Sequence, residues 1–218
     1  MTSLDASPMG QLRIVHVDAA LVVVDKPADM LSVPGRGDEK QDCVASRVRA
    51  MFADALIVHR LDMATSGLLL LARGAAAQRQ MSMAFAQRQV HKRYIAVVAG
   101  EMACDAGEID LPLQADWPNR PLQQVAFAQG RPSLTRYRVL SRDLASNTSR
   151  VELEPVTGRT HQLRVHLLAI GHPILGDRLY APTDVGARAS RLLLHAAAVG
   201  LQHPGDGSMV QFDSHPDF

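Results

Sequence analysis

The sequence predicts an α+β fold built on a central mixed, largely antiparallel sheet, flanked by helices and loops. Segments with strand patterns outnumber those with helical patterns, and the two kinds do not alternate strictly, which disfavours a parallel βαβ arrangement. Residues 134–140 and 150–153 alternate apolar with charged side chains, as half-buried antiparallel strands do. Hydrophobic residues make up 47% of the chain, which is ample material for a core, so disorder is not expected.

Each element is predicted from its own residues. Apolar runs and alternating patterns predict strands at residues 21–24, 68–71, 94–99, 134–140, 150–153 and 191–201. Helical periodicity predicts helices at residues 42–52, 75–89 and 160–170. Asp42 and Thr160 are the expected N-caps of the first and last helix, and Gly171 is the expected stop of the last one. On that last helix, Arg164 and His161 share one face.

The domain organisation is predicted from the length of the chain and from its proline and turn-forming residues. The 218 residues suit one domain, with at most a modest extra lobe. Residues 1–11 are predicted to be a flexible N-terminal tail, and residues 12–218 the domain itself. Residues 116–121, with the sequence Asp-Trp-Pro-Asn-Arg-Pro, are predicted to form an irregular loop because prolines flank turn-forming residues.

Simple features disfavour membrane and secreted proteins. The apolar runs at residues 68–72 and 192–194 are far too short to span a bilayer, so no membrane partner is expected. The N-terminal segment lacks the basic-then-apolar order of a secretory signal. Cys43 and Cys104 form no CxxC pair, which disfavours a disulfide scaffold or a cysteine zinc site. These features predict a protein of the reducing cytoplasm.

The distribution of charge indicates a polyanionic partner more clearly than the net charge of +1 does. Residues 63–100 and 155–176 contain no acidic side chain, although several arginines, Lys92 and several histidines lie there. Of the 23 basic residues, 20 are arginine, the side chain that binds phosphate in a bidentate way and stacks on bases. A GC-rich coding bias would also produce many arginines, but it does not explain the acid-free blocks.

Asp62 is the first candidate for a catalytic residue. It precedes a predicted strand, in a polar loop that ends with Thr65-Ser66-Gly67, and catalytic side chains often lie where a rigid strand meets a loop. The alternative is a turn aspartate that accepts hydrogen bonds from nearby backbone N–H groups. On this local context alone, the structural interpretation is favoured.

Arg164 and two aromatic residues also have two interpretations each. Arg164 either lies along apolar neighbours at the surface, which is favoured from the residue alone, or reaches across the core to hold a carboxylate ionised. Tyr94 follows Lys92 and Arg93, so it could stack on a base beneath cations, although a core tyrosine is the more common case. Trp117 is either a stacking platform or a loop anchor.

Other kinds of active site are disfavoured by spacing. His161 and His166 are five residues apart, which does not place two metal ligands on one helical face, and no HExxH motif occurs. Ser66 lacks the GxSxG elbow of a serine hydrolase. The segment Gly35-Arg36-Gly37 opens no helix after a strand, so it does not predict a dinucleotide site. Neither a metal ion nor a nucleotide cofactor is expected.

Four sequence blocks together resemble the RluA-type pseudouridine synthase family. In the family's order they are Lys26-Pro27 with residues 31–35, residues 59–67 (His-Arg-Leu-Asp-Met-Ala-Thr-Ser-Gly), Lys92-Arg93-Tyr94, and residues 158–166 continuing to 171–177. They extend over about residues 14–201, and four matches in order are a specific signal. Asp29 is a departure, since many members have glycine there, but no catalytic role depends on it.

The resemblance implies a pseudouridine synthase catalytic domain over residues 12–218, without an N-terminal S4 domain. It implies an isomerase that flips a uridine from its stack, detaches the uracil and rejoins it through C5, without a cofactor. Asp62 is the implied catalytic carboxylate, Arg164 its ionic partner, and Tyr94 the ring that stacks on the uracil. The implied RNA-binding residues are Arg60, which would fill the gap left by the flipped base, and Arg36, Lys92, Arg93, Trp117, Arg120, Arg159 and His161. Leu61 is expected to point into the core.

The expected partner is structured RNA. Leu111-Pro112-Leu113 and the 116–121 loop resemble family members of dual specificity, which implies a large-subunit rRNA loop and tRNA anticodon stem-loops as substrates. A monomer is expected. Three alternatives stay open: a related synthase for a different rRNA or tRNA uridine, a non-catalytic RNA-binding protein on the same fold, and a base-excising glycosylase.

Overall fold

The computed structural model describes residues 12–218, and the predicted tail at residues 1–11 lies outside the described residues. The described strands are β1 (Arg13–Val17), β2 (Leu21–Lys26), β3 (Ala55–Ile57), β4 (Ser66–Arg73), β5 (His91–Ala99), β6 (Ala106–Asp110), β7 (Leu113–Ala115), β8 (Gln123–Val125), β9 (Leu134–Asp143), β10 (Thr148–Pro155), β11 (Leu194–Gln202) and β12 (Met209–Asp213). The described helices are α1 (Val44–Met51), α2 (Gly74–Ala86), α3 (Gln162–Ala169) and the single turn α4 (Thr183–Gly186), with a 3-10 turn at Asp38–Lys40.

Ten of the described strands form one sheet. Its order is β1-β2-β4-β11-β5-β10-β9-β6, with β3 beside β4 and β12 beside β11. Strands β4 and β11 run parallel, whereas the other paired strands described in this sheet are antiparallel. Strands β7 and β8 form a separate hairpin. The prediction of an α+β fold with a mixed, largely antiparallel sheet is therefore confirmed.

The core lies on both faces of β2 and β4, the two uninterrupted apolar runs. Side chains of one parity in these strands pack beneath α2 around Met81, and those of the other parity pack beneath α1 around Val44 and Val48. A third cluster joins β5 and β10 to α3 through Leu163 and Leu167. Because β4 is covered on both faces, the loop that enters it starts from a rigid base.

Helix α1 begins one residue later than predicted, and Asp42 is not its cap. Cys43 is the N-cap: its Sγ accepts the N–H of Ser46 at 3.3 Å, and Ser46 Oγ accepts the N–H of Cys43 at 3.0 Å. The Asp42 carboxylate instead binds the Arg47 guanidinium at 2.6 Å. The Asp42 carboxylate is thus paired with a side chain instead of the backbone N–H groups at the helix start, and the next residue is the cap.

Helix α3 also differs from its prediction at the N-terminus. It begins at Gln162, and its N-cap is His161 in the left-handed conformation, with φ 54° and no side-chain cap bond. Thr160 is exposed and does not cap it. The helix is buried on most of its circumference, and Arg164 and His161 both face the same cavity. Gly171, with φ 85°, ends it as predicted.

Three boundaries shift by a few residues. Helix α2 ends at Ala86 rather than near residue 89, because Arg88 adopts a φ of 60° that a helix cannot contain. Strand β5 begins at His91 and β11 at Leu194. Residues 116–121 form the irregular turn predicted, at the tip of the β7–β8 hairpin. Within residues 12–218, no helix is long and apolar enough to cross a membrane.

Candidate active site

A cavity of about 560 Å³ opens between the loop that enters β4, the start of β5 and the N-terminus of α3. The three predicted catalytic residues, Asp62, Tyr94 and Arg164, all line it. Four predicted RNA-binding residues line it as well, namely Arg60, Lys92, Arg159 and His161. The structure thus brings together residues that are far apart in the sequence.

Asp62 lies in the loop between β3 and β4, with its side chain 22% exposed. Leu61, directly before it, is 6% exposed and packs in the core, as expected. Ser32 holds the same residue by its backbone: its Oγ donates to the Leu61 carbonyl at 2.7 Å and accepts the Leu61 N–H at 3.1 Å. The main chain before the carboxylate is therefore fixed by both packing and hydrogen bonds.

Lys26 holds the other side of this loop and was noted from the sequence only as part of the Lys26-Pro27 motif, not as a site residue. Its side chain is fully buried, and Nζ donates to the carbonyls of Pro27, Met30 and Met63 at 2.8–2.9 Å. Three acceptors match the three N–H donors of an ammonium group. Burial lowers the pKa of Lys26 to about 8, and the charges of Asp29 and Asp62 act in the opposite direction. The signal available was a lysine at the end of a strand that begins with four apolar residues.

Gly67 sets the approach of the loop to β11. It has φ 109°, and a Cβ at this position would lie 2.4 Å from the carbonyl oxygen of Ala196 and 2.5 Å from its nitrogen. Only glycine has both the conformation and the room. The last residue of the Thr-Ser-Gly motif is therefore required by backbone contact rather than by chemistry.

Arg164 is buried, so the surface interpretation favoured from the residue alone is wrong. Its Nη1 lies 3.9 Å from Oδ2 of Asp62, while Nε and Nη2 bind both oxygens of Asp177 at 2.7 and 2.5 Å. Both members of this bidentate pair are nearly inaccessible, at 4% and 1% exposure. Asp177, which was noted only as part of a motif, is thus the main partner of Arg164, and Asp62 is the second carboxylate near it.

His161 faces Asp62 from another side. Its Nε2 lies 3.9 Å from Oδ1 of Asp62, and its Nδ1 lies 2.6 Å from the hydroxyl of Tyr180. Burial lowers the pKa of His161, an effect that the charge of Asp62 opposes and that of Arg164 reinforces. The imidazole is therefore neutral at neutral pH. Its position depends on the left-handed backbone at residue 161, which local sequence patterns did not predict.

Tyr94 lies in β5 beside Asp62, on the same face of the strand as Lys92. Burial, reinforced by the Asp62 charge, raises the pKa of Tyr94, so the phenol keeps its proton. Arg93 is on the opposite face of the strand because successive side chains alternate. It pairs with Asp213 at 2.9 Å and Glu152 at 3.7 Å. The structure does not bring Arg93 to the cavity.

Three other predicted RNA-binding residues also lie outside the cavity lining. Trp117 is 66% exposed at the tip of the β7–β8 hairpin, and the Arg120 guanidinium lies 3.6 Å from its ring centroid. The pair forms an exposed cation–π platform rather than a loop anchor buried in the core. Arg36 is exposed in the loop before the 3-10 turn.

A group of cations lies at the rim of the cavity. Arg88 lines it together with Lys92 and Arg159. Burial lowers the pKa of Lys92 and of Arg159, and in both cases the charge of Arg88 lowers it further. Neighbouring like charges of this kind suit an anionic ligand. Arg88 was missed as a site residue, although it lies in the acid-free block at residues 63–100.

Chemically, the cavity offers one carboxylate. Asp62 is the only acidic side chain among the residues that line it. Elsewhere in residues 12–218, no three His, Cys, Asp or Glu side chains are grouped so that they could hold a metal ion. A carboxylate surrounded by cations and beside an aromatic ring suits reaction at a sugar or base within a polyanion.

Comparison with known proteins gives a consistent result. A family model described as RNA pseudouridylate synthase matches residues 20–169. The chain is 48% identical over 207 residues to the dual-specificity RNA pseudouridine synthase RluA of Escherichia coli strain K12, covering 95% of this chain and 94% of that protein. It is 49% identical over 205 residues to the protein of the same name in Yersinia pestis, covering 94% and 99%.

The fold agrees with these similarities. The structure of human RNA pseudouridylate synthase domain containing 1 matches with a TM-score of 0.82 at 30% identity, covering 99% of this chain and 87% of that chain. The predicted resemblance to the RluA-type pseudouridine synthase family is confirmed, and so is the prediction of an isomerase. The chain belongs to the RNA pseudouridylate synthase family.

Proposed function

We propose that this RNA pseudouridine synthase acts on uridines in a large-subunit rRNA loop and in tRNA anticodon stem-loops, with Asp62 as the catalytic carboxylate. One observation carries the assignment of Asp62: it is the only acid lining a cavity whose other charged residues are cations. A structural turn aspartate would have its oxygens occupied by nearby N–H groups. Here the Arg164 guanidinium and the His161 imidazole each lie 3.9 Å from an oxygen of Asp62.

The reaction exchanges one glycosidic bond for another. The bond from C1′ to N1 breaks with Asp62 acting at the ribose or the base, the uracil rotates, and a bond from C1′ to C5 forms. The C5 proton then leaves and N1 gains a proton, so the overall change is an isomerisation. The Arg164 guanidinium is the ionic partner of the Asp62 carboxylate, with Nη1 3.9 Å from Oδ2. The Tyr94 ring stacks on the uracil, and its protonated hydroxyl is placed near the reacting base.

RNA binding uses positions inside and outside the cavity. Arg60 is exposed two residues before Asp62 in the same loop, where it can replace the flipped base in its stack. Lys92, Arg159 and Arg88 bind backbone phosphates at the rim, which gives affinity rather than sequence choice. The exposed platform of Trp117 and Arg120 contacts a more distant part of the RNA, and Arg36 is a further candidate contact.

The proposal includes a cytoplasmic, monomeric enzyme that needs no cofactor. Similarity to proteins named dual-specificity RNA pseudouridine synthase supports two RNA substrates rather than one. The alternative within the same class is a synthase for a different rRNA or tRNA uridine. A non-catalytic RNA-binding protein has no use for a carboxylate in a cationic cavity, so the presence of Asp62 beside Tyr94 and Arg164 disfavours it.

The experiment is to incubate the protein with an rRNA loop and a tRNA anticodon stem-loop and to map pseudouridine at single-nucleotide resolution. We expect one modified uridine in each RNA and no free uracil. Release of uracil would indicate a glycosylase, and binding without product would indicate a non-catalytic protein. Pseudouridine maps of RNA from cells lacking the protein identify the uridine, and a change in one RNA class alone would contradict dual specificity.

A further inference from the structure

A short turn after α3 carries Tyr180 to the back of the cavity, where it contacts two residues that face Asp62. Its hydroxyl lies 2.6 Å from Nδ1 of His161, and the Arg164 guanidinium lies 4.9 Å from its ring centroid. The turn is held by Asp177, whose Oδ1 accepts the N–H groups of Leu179 and Tyr180 at 3.0 and 3.1 Å. One buried carboxylate therefore positions both Arg164 and Tyr180.

The direction of the hydrogen bond between Tyr180 and His161 follows from a third partner. The backbone N–H of Gln123, in β8, lies 2.9 Å from the Tyr180 oxygen, and an N–H group can only donate. The oxygen is thus the acceptor in that bond. Among the described residues, Nδ1 of His161 is the remaining hydrogen-bond partner of this hydroxyl. The hydroxyl hydrogen is used only if Tyr180 donates to Nδ1.

This direction determines where His161 carries its proton. A neutral imidazole has one protonated nitrogen, and if Nδ1 accepts then Nε2 carries the hydrogen. Nε2 is the atom that lies 3.9 Å from Oδ1 of Asp62. The other tautomer would direct a lone pair at the carboxylate, which is electrostatically unfavourable. Burial lowers the pKa of His161, which is consistent with the neutral form at neutral pH.

We infer that Tyr180 is a positioning residue that fixes His161 in the Nε2-protonated tautomer and so directs an N–H donor at Asp62. The effect on turnover rests on the proposed role of Asp62, whereas the tautomer itself does not. The same hydroxyl joins this arrangement to β8 of the hairpin that presents Trp117 and Arg120, because it also accepts the Gln123 N–H.

The first test measures the tautomer without RNA. Nitrogen NMR of the full chain labelled with ¹⁵N-histidine distinguishes a protonated from an unprotonated ring nitrogen, and the signals lost in His161→Asn identify His161. We expect Nε2 to be protonated in the wild type and the two tautomers to be mixed in Tyr180→Phe. A proton on Nδ1 in the wild type, or an unchanged His161 spectrum in Tyr180→Phe, would overturn the inference, whatever the RNA specificity proves to be.

The second test is kinetic. Tyr180→Phe keeps the ring under Arg164 and is expected to lower kcat about tenfold, the effect of one positioned hydrogen bond, with KM almost unchanged. In a His161→Asn background the same substitution is expected to have no further effect, because it acts through His161. The matched control is Tyr137→Phe, which removes a hydroxyl in β9 outside the cavity lining.

A purely structural role for Tyr180 gives a different result. If the hydroxyl only anchors the hairpin through Gln123, Tyr180→Phe raises KM, leaves kcat and the His161 spectrum unchanged, and does so equally in the His161→Asn background. That result would contradict the inference. Urea unfolding of each variant verifies that the compared proteins are folded.

Discussion

Arg164 is bound more closely by Asp177 than by Asp62, the residue that we propose as the catalytic carboxylate. The bidentate contacts to Asp177 are 2.7 and 2.5 Å, and the contact to Asp62 is 3.9 Å. The guanidinium is therefore held in place before any substrate binds. Such an arrangement leaves the Asp62 oxygens available for reaction, because the neighbouring charge is fixed without a direct hydrogen bond.

The Arg164–Asp177 pair predicts a large loss of stability on one substitution. Arg164→Met leaves the Asp177 carboxylate buried without its cation, and we expect the free energy of unfolding to fall by about 3–5 kcal/mol. Turnover is expected to fall as well, because the substitution also removes the positive charge beside Asp62. Urea unfolding measures the first effect. Adding Asp177→Asn removes the stranded charge, so the double variant is expected to be more stable than Arg164→Met; equal or lower stability would contradict this account.

Comparing substitutions at Gly67 and Gly74 distinguishes the cost of backbone strain from the cost of a steric contact. Both have a positive φ, but a Cβ at Gly67 meets the Ala196 backbone at 2.4 Å, whereas at Gly74 nothing lies within 4 Å. Gly74→Ala is expected to cost about 1–2 kcal/mol of unfolding free energy, the strain of a left-handed alanine. Gly67→Ala is expected to cost clearly more and to reduce turnover, because the Asp62 loop must shift. Equal losses in the two variants would show that the contact with β11 is unimportant.

Arg88 is predicted to bind a phosphate at the cavity rim. Arg88→Ala is expected to weaken RNA binding similarly for different RNA sequences and to reduce the slope of log K against log salt concentration by about 1. Filter binding over a salt series measures both. Arg79→Ala is the matched control, because Arg79 is exposed on α2 and does not line the cavity. The prediction fails if the two variants show the same slope.

Six of the twelve described strands, β2, β4, β5, β9, β10 and β11, were predicted because their patterns are local. The apolar runs of β2 and β4 and the alternation in β9 and β10 depend only on neighbouring residues. Helix starts were less predictable. Asp42 has a suitable side chain for a cap but binds Arg47 instead. His161 adopts a left-handed conformation, and its side chain makes tertiary contacts with Asp62 and Tyr180.

The site was predictable where residues belong to a motif and not where they act from a distance. Asp62, Tyr94 and Arg164 were predicted and meet in one cavity. Lys26 and Tyr180 were not predicted as site residues. Lys26 contacts Met63, 37 residues away, and Tyr180 contacts His161 and Gln123, 19 and 57 residues away. Arg93 was predicted as an RNA contact from its neighbours in the sequence, but strand alternation places it on the other face.

The most direct test of the central claim is the rate of pseudouridine formation by Asp62→Asn, compared with the wild type on the same RNA. Asparagine keeps the shape of the side chain and removes its charge, so we expect turnover to fall by at least about 1,000-fold while RNA affinity is retained. Asp184→Asn, on the exposed α4 turn, serves as the control and is expected to have wild-type turnover. Pseudouridine formation by Asp62→Asn at the wild-type rate would contradict the account.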